Sequence, residues 1–107
     1  KYSVEFLKEI FEKDFNIAVK GAKKVIEEYI PNLYTQDLTQ SQIEVIEGVL
    51  IEMVFQMGRP RVSKFKKTLK AINEGDFTTA ADEMLDSRWA DQTFERALVL
   101  SLKIRKI

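Results

Sequence analysis

Apolar positions along this chain recur at three- and four-residue steps, the period of helices that bury one face. The densest run is Ile43, Ile46, Val49, Leu50, Met53, Val54 and Met57, which predicts a central buried helix. Thr39, with Gln42 three residues on, has the spacing of a capping box at its start. Gly58 can take positive φ and stop it. Before it, Phe6, Leu7, Ile10, Phe11, Phe15, Ala18, Ala22, Val25, Ile26 and Tyr29 predict one long helix, capped by Ser3 and stopped by Pro31. Gly21 inside that pattern costs roughly 1 kcal/mol relative to Ala, so it marks a bend or a close approach.

Residues 32–38 read as a polar, ordered connection that carries Leu33 and Tyr34. Arg59-Pro60 opens a third helix whose buried side is Val62, Phe65, Leu69 and Ile72, ended by Asn73-Glu74-Gly75. Asp76 caps a fourth, with Phe77, Ala80, Ala81, Met84 and Leu85 inward. A short turn of helix surrounds Arg88-Trp89, and Thr93 caps the last helix, from Phe94 to Lys106. No stretch has a strand pattern. The expectation is an all-α fold with five main helices and one short one, packed around the central helix.

Composition narrows the chemistry. The 107 residues suit one domain with one modest core. Basic and acidic residues balance at 17 each, which argues against nucleic acid held by bulk charge. There is no cysteine, so neither a disulfide scaffold nor a thiol nucleophile exists. There is no histidine, which removes the usual general base and the commonest metal ligand. No metal or other cofactor is expected, and no apolar run reaches membrane-spanning length. Lys1 in place of Met is what a trimmed or excised start would give.

Two blocks carry a resemblance: Met53-Val54-Phe55-Gln56-Met57-Gly58, and Ser87-Arg88-Trp89-Ala90-Asp91-Gln92-Thr93 with Arg96-Ala97 beyond it. Together, at this separation, they resemble the large helical lobe of the phage-type lysozymes, family-24 glycoside hydrolases that cut peptidoglycan. The resemblance runs from about Glu5 to Arg105 and is densest from Leu50 to Ala97. It implies one helical domain over residues 1–107. In it, residues 1–30 are the former interlobe helix and 39–107 the core of the lobe. By the same resemblance the protein is phage-encoded, made in the host cytoplasm and active on the periplasmic wall.

The family's catalytic Glu, Asp and Thr sit in a small lobe before the interlobe helix, so the resemblance assigns no catalytic residue to this chain. It does assign contacts with the sugar–peptide strand. Phe55 and Gln56 fall on the cleft corner, and Thr68 and Glu83 fall on two further contact positions. Thr68 stands for the family's serine and Glu83 for its amide-type residue; a carboxylate there would repel the carboxylates of a peptide stem. Arg96 falls at the cleft edge, where the family's arginine pairs with the catalytic glutamate; here it is expected to be exposed and unpaired or reused. Trp89 and Gly58 are structural. The indole needs an acceptor for its N–H, either Gln56 or a backbone carbonyl.

The carboxylates Glu44, Glu47, Glu52, Asp82, Glu83, Asp86, Asp91 and Glu95 could in type form a new acid–base pair, but at this density they read as solvated charge. The basic set Arg59, Arg61, Lys64, Lys66, Lys67 and Lys70 reads as a solvated helix face sooner than as a polyanion site. Two functions stay open. One is the cleft-floor lobe of a peptidoglycan muramidase, inactive as this chain alone. The other is a stand-alone lysozyme-like module without catalysis that binds a glycan or a protein. The apolar last helix (Ala97, Leu98, Val99, Leu100, Leu102, Ile104) adds a homodimer to the expected partners; nucleic acid and membrane are not among them.

Overall fold

The computed structural model describes the backbone of residues 4–107 and the side chains of residues 15–107. Seven helices follow one another: α1 (Val4–Tyr29), α2 (Gln40–Met57), α3 (Arg59–Val62), α4 (Lys66–Glu74), α5 (Phe77–Leu85), α6 (Arg88–Gln92) and α7 (Phe94–Arg105). Five are long and two short, and no strand occurs among the described residues. The expected Ser3 cap, and the inward faces of Phe6, Leu7, Ile10 and Phe11, lie outside what is described.

α2 is the centre. Ile46, Val49, Leu50 and Met53 are at most 2% exposed, and they join Val25, Ile30, Leu69, Ile72, Met84, Leu100 and Ile104 in one cluster. Its N-terminus carries the full capping box: Gln42 N–H donates to Thr39 Oγ1 (3.2 Å), and Thr39 N–H donates to Gln42 Oε1 (2.9 Å). Gly58 ends it at φ 85° and donates its N–H to the Val54 carbonyl (2.8 Å).

Gly21 marks a close approach. A Cβ built there would stand 2.8 Å from Val54 Cγ1, so α1 and α2 meet at a distance that only glycine allows. The connection after α1 is pinned from both sides. Leu33 is fully buried, Asn32 N–H donates to Asn73 Oδ1 (2.9 Å), and Gln36 Nε2 donates to the Ile72 carbonyl (2.8 Å). The C-terminal end of α4 is thereby capped twice, because Gly75 at φ 79° also folds the chain back so that Asp76 N–H reaches the Ala71 carbonyl (2.8 Å).

Two expectations need correction. The helix expected from Arg59 onward is two, broken at residues 63–65. Ser63 Oγ donates to the Arg59 carbonyl (3.0 Å), and Phe65 leaves helical geometry (ψ 53°) to set its ring edge-on to Trp89, with centroids 6.0 Å apart. Thr93 sits at the start of α7, but its side chain makes no capping bond. On α7, Ala97, Leu100, Ser101 and Ile104 face inward, and Val99 at 53% and Leu102 at 41% exposure lie outside the core.

Candidate functional site

Among the described residues, three grooves stand out on the surface. The first, of 540 Å³, lies between α1 and the end of α2, and is lined by Ile17, Ala18, Lys20, Gly21, Lys24, Val54, Phe55, Gly58 and Arg59. The second, of 740 Å³, lies between α2 and α7 beside α1, and holds Phe15, Ile51, Glu52, Phe55, Gln56, Thr93, Glu95, Arg96, Val99 and Lys103. The third, of 350 Å³, lies between α4 and α5, lined by Lys64, Phe65, Lys66, Lys67, Thr68, Glu83, Asp86 and Ser87.

Phe55 is common to the first two grooves, and its ring is 45% exposed. It lies in the last turn of α2, three residues before Gly58, where the chain turns into α3. Next to it, Gln56 is held from behind: Trp89 Nε1 donates to Gln56 Oε1 at 3.1 Å. Phe65 packs on the same indole from the third groove. Gln56, Trp89 and Phe65 are thus a continuous bridge from the second groove to the third.

The structure sets the four positions that the resemblance assigns to strand contact on two grooves, with the bridge between them. Phe55 and Gln56 lie on one side, Thr68 and Glu83 on the other. Thr68 is only 2% exposed, so of the pair in the third groove Glu83 has the accessible side chain. Arg96 is exposed on the second groove and makes no ion pair among the described residues. The basic set is divided by the break at residues 63–65: Arg59 goes to the first groove, and Lys64, Lys66 and Lys67 to the third. Lys20 and Lys24 of the first groove were missed from sequence. Their signal is the Lys20-x-x-x-Lys24 spacing, which puts both on one side of α1.

No carboxylate among the described residues is buried. The two resolved shifts lie away from the grooves. Partial burial, a hydrogen bond to Glu47 (2.8 Å) and that carboxylate's charge push the Tyr34 hydroxyl up to about 12. The Asp76 carboxyl is lowered by its hydrogen bonds from the Thr79 side chain and backbone, as befits the cap of α5. Among the described residues no group of acidic side chains is placed to hold a metal ion, and no helix is long and apolar enough to cross a membrane.

Comparison with known proteins finds relatives that this chain matches in part. "Probable T4-type lysozyme 2" of Dictyostelium discoideum is 37% identical over 89 residues, which is 82% of this chain and 48% of that protein. "Probable T4-type lysozyme 1" of the same organism is 38% identical over 88 residues, again 82% of this chain and 48% of that protein. The chain is a partial homologue of the T4-type lysozymes. It spans about half the length of these relatives. The all-helical fold is consistent with the helical lobe that the two sequence blocks resemble. No family model and no solved structure matches the chain.

Proposed function

We propose that this chain is the large, helical lobe of a T4-type lysozyme, a muramidase that hydrolyses the β-1,4 bond between N-acetylmuramic acid and N-acetylglucosamine. The lobe floors the cleft, and the bond-breaking groups are not its own. The observation that carries this is the identity of 37–38% to T4-type lysozymes over 82% of the chain. The chemistry of the surface agrees. A glycosidase acid is a carboxyl whose proton is kept by apolar surroundings, with a second carboxylate across the sugar. The carboxylates of the described residues are all at least partly solvated, which supports a lobe that binds and does not cleave.

Phe55 offers a ring face to a sugar and Gln56 an amide to its substituents, while Glu83, with Thr68 buried behind it, meets the strand beyond the bridge. Arg96 borders the cleft. Titration of the chain with soluble disaccharide-peptide, followed by NMR, tests this. Shifts at Phe55 and Gln56 support the reading; shifts confined to other surfaces reject it.

A second reading has its own observation. Val99 and Leu102 put apolar side chains in solvent along α7, a face suited to a second copy of the chain or to another protein. A two-fold dimer through α7 is the form of this reading that needs no further partner.

A further inference from the structure

Gly21 brings three cations together. At this residue α1 lies so close to the end of α2 that the stem of Arg59 runs over the α1 backbone. A Cβ on Gly21 would stand 3.5 Å from Arg59 Cβ and 4.0 Å from Arg59 Cδ. Lys20 precedes this glycine and Lys24 follows it on the same helix. Both lysines are exposed, and both line the groove that Arg59 lines. No carboxylate among the described residues belongs to that lining. Arg59 does approach Glu28, at 4.0 Å, but the two side chains are 45% and 56% exposed, so the pair neutralises little. Lys20 and Lys24, four residues apart on one helix face, repel each other.

The same surface carries exposed apolar side chains. Ile17 is 60% exposed, more than any other large hydrophobic residue described. Its spacing from Lys20 and Lys24 puts it on their face of α1. Across the groove, Phe55 is 45% exposed and stands four residues before Arg59. Each wall therefore sets an apolar side chain beside a cation. Net charge alone does not single this groove out, because the lining of the third is also net positive, with three lysines against Glu83 and Asp86. No large exposed hydrophobic side chain lines the third groove, however. The second has Phe15, Phe55 and Val99, but there Glu52 and Glu95 cancel Arg96 and Lys103.

A small soluble anion would satisfy the cations and leave Ile17 in water. A purely apolar partner would do the reverse. A bilayer surface with acidic head groups meets both demands, since phosphates attract the cations and the interface accepts apolar side chains. We propose that the face formed by Ile17, Lys20, Lys24, Phe55 and Arg59 docks on an anionic phospholipid surface. Such a contact is peripheral and needs no membrane-spanning segment. The long stems of lysine and arginine hold their charges at head-group level while Ile17 and Phe55 lie deeper. The contact does not depend on the strand contacts of the proposed function, with which it shares Phe55 alone.

The native chain is sedimented with phosphatidylcholine vesicles, with and without phosphatidylglycerol, over a range of salt. Binding should require phosphatidylglycerol and fade as salt rises. One cation near an anionic bilayer is worth about fivefold in partition, so Lys20→Gln/Lys24→Gln should weaken binding by about twentyfold. Ile17→Ser leaves the charge unchanged and should still weaken binding several-fold. All three positions are exposed, and circular dichroism checks the helix content of each variant. No vesicle binding by the native chain overturns the proposal, and so does equal binding by the lysine variant. Equal binding by Ile17→Ser also overturns it, and binding of a short DNA duplex would then identify a bare polyanion site. The glycan titration at Phe55 and Gln56 is read without lipid, so its outcome is independent of this one.

Discussion

The indole N–H of Trp89 and the amide oxygen of Gln56, 3.1 Å apart, tie α6 to the last turn of α2. The bond fixes which way the Gln56 amide faces and so which of its atoms is left for a ligand. Trp89 is half-buried, so loss of its acceptor leaves a donor with partial access to water. Gln56→Ala should therefore cost about 1 kcal/mol of stability, toward the low end for an orphaned donor. Urea unfolding followed by the emission of Trp89, the single tryptophan, reads both the loss and the expected red shift of the native spectrum.

Gly21 should resist replacement although it lies inside a helix. Alanine there would gain roughly 1 kcal/mol of helix propensity. Against that, its Cβ would meet Val54 Cγ1 at 2.8 Å, and overpacking of this kind costs about 1–3 kcal/mol. The expected net effect of Gly21→Ala is destabilisation. In Val54→Ala the obstacle is gone, so adding Gly21→Ala to that background should cost less than it does in the native chain. A double-mutant cycle by denaturation measures the coupling; purely additive effects would contradict the close contact.

Tyr34 should titrate above the ordinary tyrosine range. Its hydroxyl, held up to about 12 by partial burial and by Glu47, is raised above the ordinary value near 10. The folded state therefore keeps this proton more tightly than the unfolded state does. The stabilising contribution is complete below pH 10 and is lost as pH rises from there through about 12. Tyrosinate absorbance against pH should show a late-titrating group in the native chain, and Glu47→Gln should bring it down toward 10.

The exposed pair on α7 gives an association test. Val99→Glu and Leu102→Glu change side chains that are 53% and 41% exposed, so the fold should tolerate both. If α7 is a dimer face, the native chain sediments as a dimer at high micromolar concentration, and the doubly substituted chain as a monomer. A native chain that is monomeric throughout removes the dimer.

Much of this arrangement was legible in the sequence because it is local. The capping box needs only Thr39 and Gln42, and the stop at Gly58 and the cap at Asp76 need one residue each. The close approach at Gly21 was legible as one of two alternatives, since a glycine in a helix signals either a bend or a contact. What escaped depends on distant partners. Nothing between Ser63 and Phe65 is a glycine or a proline, and the helix breaks there with Phe65 set against Trp89, 24 residues on. Thr68 is buried because that same break turns α4 against α5, which sequence spacing does not register. Lys20 and Lys24 became a feature only when Arg59 arrived across the α1–α2 crossing.

Under the proposed function, the lobe holds the strand without cutting it. The most direct measurement is release of reducing ends from purified peptidoglycan by the chain alone. The predicted result is none above a heat-inactivated control. Release that disappears when one of the chain's own carboxylates, such as Glu52 or Glu83, is changed to its amide would contradict the account.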